Sequence, residues 1–360
     1  MRGRIVFLGL IFVVGLLASG SRSHASDLEQ CELTTADQQQ RYGACDRVQR
    51  NSSSSPRDRA RALFQLGRLM QMKPEGFYQA ASAWDAAIAA DPTYVAAIVA
   101  RAEWFVLTNK GYDAIKLLQP ALAANTGDTE LLVMIGRAYA SVGLPERALD
   151  SFNEALKVDP NHVRALFESG QVFEMAGDFS KAAEAYRRAG ENYDPSFVSE
   201  GGIGIEHPYL AAARSYDHLG ETGKALALIT NVIDHFPSLS ARPYVFEQRA
   251  SYNETLGLID EAIADLTSAL RYALPELRMP LLFKRALLYQ KGGKRQEAER
   301  DFSSALGNGD RRTILRMQVY LRNHGYNEVK INGLADPDLM KLISVCLATT
   351  ECGAGLGRPI

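Results

Sequence analysis

Small and apolar residues recur along most of the chain with a period of about 34 residues. The clearest unit starts at Thr129 and has such residues at positions 4, 7, 8, 11, 15, 20, 24, 27 and 32: Leu132, Ile135, Gly136, Tyr139, Gly143, Ala148, Phe152, Ala155 and Pro160. Steps of three and four residues between apolar positions are typical of an amphipathic helix. A proline or aspartate near position 32 ends the second helix. The pattern therefore predicts two antiparallel helices in each unit.

Seven units follow this spacing, and they start near Ala60, Val95, Thr129, Val163, Glu206, Pro243 and Met279. Position 8 is glycine or alanine in every unit: Gly67, Ala102, Gly136, Gly170, Ala213, Ala250 and Ala286. Position 27 is alanine in six units and Val232 in the fifth. Because the chain has 48 alanines in 360 residues, chance would place about one alanine at position 27. The repeat is therefore a property of the chain, with small residues where two helices approach most closely.

The spacing and the residue types resemble the tetratricopeptide repeat along the whole unit. This resemblance implies an all-α fold in which helical hairpins stack into a right-handed superhelical solenoid, since one hairpin cannot bury its own apolar face. Residues 57–312 are predicted to hold the seven repeats. Residues 26–56 are predicted to form an N-terminal cap with a half repeat, in which a lone second helix turns Cys45 inward. The glycine-rich stretch around 195–205 lies between helical units, which favours a loop between repeats over a phosphate-binding loop.

The N-terminus has the layout of a secretory signal peptide. Arg2 and Arg4 precede an apolar run that ends at Ala18, and small residues before Ser26 suit cleavage. The run is short for a spanning helix, so residues 1–25 are predicted to be removed and the protein to be periplasmic. The alternative is an uncleaved N-terminal anchor. Removal of residues 1–25 takes away three arginines and no acid, which changes the formal net charge from −2 to −5. A negative net charge does not favour a nucleic-acid partner.

The four cysteines form two close pairs at the two ends of the chain. Cys31 and Cys45 precede the repeats, and Cys346 and Cys352 follow them. Three pairings are formally possible, and local closure favours Cys31–Cys45 and Cys346–Cys352. Disulfides at these positions agree with an exported protein.

After Asp310 the repeat pattern stops, and residues 313–360 follow another one. Matches to the small three-helix peptidoglycan-binding domain of bacterial wall proteins occur at Gln318, Leu321, Gly325, Tyr326, Gly333, Pro337 and Ile343. The sequence departs from that pattern at Asn332, Asp336, Leu339 and Cys346-Leu347. The resemblance implies a small α-helical domain. Since the loop that would bind the wall is altered, two interpretations stand: a peptidoglycan-binding module, or a helical cap over the last repeat.

In the resembled family, a groove for protein partners is lined by the first helices at positions 2, 5, 6, 9, 12 and 13. Carried onto this chain, the predicted groove residues are Arg61, Phe64, Arg68, Met134, Arg137, Arg164, Phe167, Gln171, Arg214, His218, Tyr244, Gln248 and Phe283. Arginine and aromatic side chains dominate binding hot spots. The other interpretation is a solvated face of mixed charge, because Glu103, Glu168, Glu174, Glu247 and Glu254 share these positions. The Lys/Asn clamp by which some members grip C-terminal carboxylates is absent at its usual positions.

Catalytic and metal-ligand motifs were not found in the sequence. The six histidines have no metal-ligand spacing, and no nucleophile motif is present. The chain is therefore predicted not to be an enzyme and to need no cofactor or metal. The predicted function is an exported scaffold or regulator of bacterial cell-envelope or wall assembly that binds a protein or peptide in the groove. The alternatives are a peptidoglycan-binding localisation module and a wall-modifying enzyme.

Overall fold

The computed structural model describes residues 24–194, 207–237, 241–307 and 311–347. Within these ranges the chain forms α-helices joined by turns, with no β-strand. The chain divides into two compact units, Met1–Val142 and Gly143–Ile360. The predicted signal peptide lies outside the described residues except for its last two, His24 and Ala25. The glycine-rich stretch around 195–205 also lies outside them. No helix in the described ranges combines the length and the hydrophobicity needed to cross a bilayer.

The described part of the first unit, residues 24–142, contains seven α-helices and a 3-10 turn (Pro74–Gly76) before the fourth of them. The α-helices are α1 (His24–Glu32), α2 (Gln38–Arg50), α3 (Pro56–Gln71), α4 (Phe77–Ala90), α5 (Val95–Leu107), α6 (Gly111–Ala124) and α7 (Thr129–Ser141). The described part of the second unit contains α8 (Pro145–Val158), α9 (Val163–Met175), α10 (Phe179–Glu191), α11 (Pro208–His218), α12 (Thr222–His235), α13 (Pro243–Thr255), α14 (Ile259–Tyr272), α15 (Pro275–Lys291), α16 (Arg295–Gly307), α17 (Arg311–Asn323) and α18 (Pro337–Leu347).

The helices pair as hairpins in the order that the repeat predicts. In the first unit α3 packs on α4 and α5 on α6, and in the second unit α9, α11, α13 and α15 each pack on the following helix. Four first helices start where the spacing puts them, at Val95, Thr129, Val163 and Pro243. By contrast α3 and α15 start four residues early, because Pro56 and Pro275 occupy the first helical turn, where a fixed φ and a missing N–H cost nothing.

Close packing explains the small residue at position 8. A Cβ atom on Gly67 would lie 2.3 Å from Nε1 of Trp84, and one on Gly170 would lie 2.6 Å from Cδ1 of Tyr186. Both aromatic side chains are almost completely buried. A large ring on the second helix therefore requires a glycine on the first.

Gly67→Ala is expected to lower the free energy of unfolding by about 1–3 kcal/mol, because the Trp84 ring would have to move. Gly43→Ala is the control in the same unit: its Cβ would have ordinary contact with Arg47 at 3.5 Å. An alanine inside α2 is expected to stabilise by about 0.5–1 kcal/mol. Urea unfolding followed by tryptophan fluorescence measures both, and equal effects at the two positions would contradict the packing argument.

The predicted pairing of Cys31 with Cys45 is present, but α2 is not the lone helix that the sequence predicts, because α1 packs against it. Cys31 on α1 and Cys45 on α2 form a disulfide with their Cα atoms 4.8 Å apart, and both are fully buried. They share a core with Leu66 and Leu69 of α3. The α2 helix thus covers the open side of the first hairpin. The second predicted pairing involves Cys352, which lies outside the described residues; Cys346 is buried, and none of the described cysteines is a free thiol.

The segment after the repeats packs as part of the second unit. Ile314, Leu321 and Ile343 are buried in the same core as Phe302 of α16. Ser344 on α18 also donates a hydrogen bond of 2.7 Å to Glu299 on α16. This shared core is what a helical cap over the last repeat requires.

Gln318 organises the turn that carries two of the departures from the wall-binding pattern, Asn332 and Asp336. Its Oε1 accepts from the backbone N–H groups of Asn332 and Gly333 at 3.0 and 2.8 Å. Its Nε2 donates to Asn332 Oδ1 and to the Leu334 carbonyl. Gly333 has a φ of 72°, which favours glycine, and its Cα lies against α17. The matched glutamine and glycine therefore keep the turn in place although its Asp has become Asn.

His207 caps α11 from a buried position. Its Nδ1 accepts the backbone N–H of Tyr209 at 3.3 Å, so the ring proton is on Nε2, which has no hydrogen-bond partner among the described residues. The ring packs between Tyr193 and Phe236, with centroids 4.6 and 4.3 Å away. Burial lowers the pKa of His207 to about 4.

Stability is expected to fall by about 2 kcal/mol between pH 7.5 and pH 5 through His207. The unfolded imidazole binds a proton near pH 6.5 whereas the folded one, with its pKa of about 4, does not, so the unfolded state gains protons first as the pH falls. Urea unfolding across this range measures the effect. His207→Asn keeps a capping acceptor and is expected to remove the loss of stability at low pH. His218→Asn, at an exposed site, is expected to leave that loss unchanged. An unchanged pH profile in His207→Asn would contradict the assignment.

Candidate functional site

The candidate site is the exposed face of the first helices, which is described separately for each unit. In the first unit, Arg61, Phe64 and Arg68 lie on α3, and Arg137 lies on α7. The predicted groove residues of the second unit lie on α9, α11, α13 and α15.

Three of the predicted groove residues do not face solvent. Met134, Phe167 and Phe283 are only 2%, 3% and 6% exposed. The rings of Phe167 and Phe283 pack on Tyr186 and Phe302 of their own hairpins, at 5.2 and 5.4 Å. Met134 lies in the apolar core of the first unit. Position 5 or 6 borders the interior, so a large apolar side chain there turns inward, and the prediction that these three line a groove is wrong.

Arg61 is already bound to a carboxylate of its own chain. Its Nε and Nη2 donate to the two oxygens of Glu32 on α1, at 2.8 and 2.5 Å, and Nη1 lies 3.5 Å from Asp58. The hydrogen bond to Glu32 raises the pKa of Arg61, which therefore stays charged. A two-pronged arginine–carboxylate contact is a strong way to bind an acidic partner, but at Arg61 an acid of the same chain already makes this contact.

Three acidic residues of the predicted face, Glu103, Glu247 and Glu254, pair with cations of the next repeat. Arg137 donates to Glu103 at 2.8 Å, and these residues hold the same position in successive units. Both side chains are mostly buried, at 13% and 17% exposure. In the second unit, Lys284 pairs with Glu247 in the same manner. The mixed charge of this face therefore joins neighbouring repeats.

The side chains that remain accessible belong mainly to the second unit. Gln171, His218 and Tyr244 are exposed. His218 stacks on Phe179, with centroids 4.4 Å apart, and Gln248 donates to the Tyr252 hydroxyl at 2.7 Å. Arg164 and Arg214 are half-buried on α9 and α11. These polar and aromatic side chains suit hydrogen bonding to an extended segment.

At the α3 end of the first unit, aromatic and basic side chains lie together. The Arg68 guanidinium lies 6.0 Å from the centre of the Phe64 ring, which meets Tyr94 edge-on at 5.6 Å. Arg41, which was not among the predicted groove residues, reaches this region from α2 and donates a hydrogen bond to Gln65 at 3.2 Å. Positions counted within the repeat exclude the cap, so no repeat-based pattern could have found it.

Within the described ranges, no group of three or more His, Cys, Asp or Glu residues is placed to hold a metal ion. The arrangement of the site is that of a binding surface with hydrogen-bond donors, acceptors and aromatic rings.

Comparison with known proteins agrees with the repeat. Residues 133–196 match the family model described as tetratricopeptide repeat. The probable UDP-N-acetylglucosamine–peptide N-acetylglucosaminyltransferase SPINDLY of Hordeum vulgare is 38% identical over 89 residues, which is 25% of this chain and 9% of that protein. That match covers its repeat region only.

Two further similarities cover more of the chain. Tetratricopeptide repeat protein 1 of Schizosaccharomyces pombe is 24% identical over 246 residues, 57% of this chain and 24% of that protein. The chain thus spans no more than about a quarter of either curated relative. A crystal structure of a tetratricopeptide repeat protein from Parabacteroides merdae has a TM-score of 0.42 and 18% identity, and it covers 79% of this chain and 98% of its own.

The repeat spacing, the hairpins and the family match agree for the central part of the chain. The resemblance to tetratricopeptide repeats is confirmed for residues 133–196, which match the model of that family.

Proposed function

We propose that this protein is an exported scaffold or regulator that binds protein partners in bacterial cell-envelope or wall assembly. The observation that carries the proposal is the set of tetratricopeptide repeats, which are modules for protein–protein interaction. Accessible Gln171, His218 and Tyr244 on the first helices supply polar and aromatic contacts. The mechanism is non-covalent docking of an extended segment or a helix on a preformed surface.

Recovery of partners tests the proposal. The mature chain, crosslinked in cells and purified from envelope extracts, is expected to bring down wall-remodelling or division proteins. A Gln171→Ala/Tyr244→Ala variant is expected to recover several-fold less. A control with Asn153→Ala/Lys157→Ala, exposed on the second helix α8, is expected to recover the same amount. Recovery of cytosolic chaperones alone would contradict the proposal.

Export is supported by the basic and apolar residues before Ser26 and by the buried Cys31–Cys45 disulfide, since disulfides persist in oxidising compartments. N-terminal sequencing of protein from the periplasmic fraction is expected to start at Ser26. Retention of Met1 in a membrane fraction would support the anchored alternative instead.

A second candidate function is binding to peptidoglycan through the C-terminal segment. Its supporting observation is the turn that Gln318 holds, next to the exposed side chains of Ile331 and Leu334. Because this segment shares a core with the last repeat, the test uses the full mature chain. Ile331→Ser/Leu334→Ser is expected to reduce co-sedimentation with purified sacculi, and the exposed control Leu277→Ser is expected to leave it unchanged. Equal sedimentation of both variants would reject the module, and wall hydrolysis in a zymogram would support the enzyme alternative.

A further inference from the structure

A buried arginine without a carboxylate partner lies between the cap and the first repeat. Arg41 on α2 is 9% exposed. Its Nε donates to the Cys31 carbonyl and its Nη2 to Gln65 Oε1, both at 3.2 Å. Both acceptors are neutral, and Arg41 forms no ion pair within the described part of the chain. Its Nη1 makes no hydrogen bond there and is not among the buried nitrogens without a partner, so it reaches solvent.

A second arginine without an acid lies beside it. Arg68 follows Gln65 by one turn on the same face of α3, is half-buried, and has no ion pair among the described residues. The pKa of Arg41 is lowered, first by burial and then by the positive charge of Arg68. Among the described residues, no carboxylate forms an ion pair with either guanidinium group.

Nearby acids are used elsewhere. Glu32 and Asp58 bind Arg61, and Asp37 accepts the first N–H groups of α2. The side-chain amide of Gln65 accepts from Arg41, and its NH₂ group donates to no described residue. Donor groups of Arg41, Gln65 and Arg68 thus lie in one region, and the described carboxylates around them bind other groups.

We infer that this place is a binding site for a carboxylate side chain of an extended segment from a protein partner, held between Arg41 and Arg68. Gln65 donates a further hydrogen bond, and the Phe64 ring under Arg68 forms an apolar wall for the neighbouring residue of the segment. A carboxylate there gives charge-assisted hydrogen bonds to two guanidinium groups, one of which has already lost most of its hydration. The inference rests on the proposed function. It specifies a carboxylate as the chemical group that this part of the binding face recognises.

The test compares two probe peptides, acetyl-Leu-Glu-Leu-Glu-Leu-amide and its glutamine counterpart, by calorimetric titration of the mature chain. At low ionic strength the wild type is expected to bind the glutamate peptide about tenfold tighter, and the preference is expected to shrink as salt is added. Arg68→Gln is expected to abolish the preference. This position is half-buried and outside the cap, and an unchanged thermal midpoint shows that the variant is folded.

Arg271→Gln provides the matched control, since Arg271 is exposed on α14 and has no ion pair among the described residues. It is expected to keep the full preference, and Arg41→Gln is expected to lose it. Equal binding of both peptides by the wild type, or a preserved preference in Arg68→Gln, would overturn the inference. Neither result bears on partner recovery from envelope extracts, which tests the proposed function separately.

Discussion

Asp265→Ala is expected to lower the free energy of unfolding by about 3–5 kcal/mol, because it leaves a charged arginine unpaired inside a hairpin. Asp265 on α14 is 3% exposed. It accepts from Arg249 Nε at 3.0 Å and from Nη2 at 2.6 Å, and its other oxygen accepts from the Asn253 amide at 2.9 Å. The substitution removes the only side-chain acceptors that the Arg249 guanidinium and the Asn253 amide have within the described residues.

Urea unfolding of the full chain measures the loss, and Asp260→Ala is its control on the same helix. The Asp260 side chain is 78% exposed and pairs with Lys294, so its removal is expected to change stability little. Arg249→Met/Asp265→Leu is expected to recover most of the loss, because an apolar pair of similar volume needs no buried counterion. A loss in Asp265→Ala no larger than in Asp260→Ala would contradict the role of the buried pair.

Cys31→Ala/Cys45→Ala is expected to lower the free energy of unfolding by about 3 kcal/mol, because the bond closes a loop with a sequence separation of 14 residues. Without the bond, α1 is held by its apolar contacts and by Glu32, which binds Arg61. Hydrogen exchange is expected to show lost protection in α1, with α5 and α6 unchanged. Substitution is preferred to reductant, since it leaves Cys346 as it is.

Glu32→Gln serves as the control for this prediction. It keeps the disulfide and weakens the contact of α1 with Arg61, whose side chain is partly exposed, so a smaller loss is expected. If Glu32→Gln alone reproduced the whole loss, the ion pair and not the disulfide would hold the cap.

The buried pair at Arg249 and Asp265 recurs one repeat later. Arg285 and Asp301 have the same separation of 16 residues, and Nε donates to Oδ2 at 2.6 Å. The hydrogen bond to Asp301 raises the pKa of Arg285, which therefore stays charged inside its hairpin. An arginine at position 7 with an aspartate 16 residues further along the chain therefore predicts this pairing from the sequence.

How well the site could be predicted differs from residue to residue. Gln171, His218 and Tyr244, which the repeat positions assign to the groove, are exposed, because helical periodicity decides which side of a helix a residue occupies. The same positions failed for Met134 and Phe167. At the border of a face, the exposure of a side chain depends on its volume and on the space in the facing helix.

The helical hairpins, their order and the Cys31–Cys45 pairing follow from the sequence, because they depend on spacing within about 34 residues and on local closure of the two cysteines. The pairing of the charges depends on the packing of the helices: Glu32 binds Arg61 and Glu103 binds Arg137, while Arg41 and Arg68 have no carboxylate partner among the described residues. Helical periodicity is a local property of the chain. The partner of a charged side chain depends on which helices pack together and on which acids lie within about 4 Å, and no local pattern contains that information.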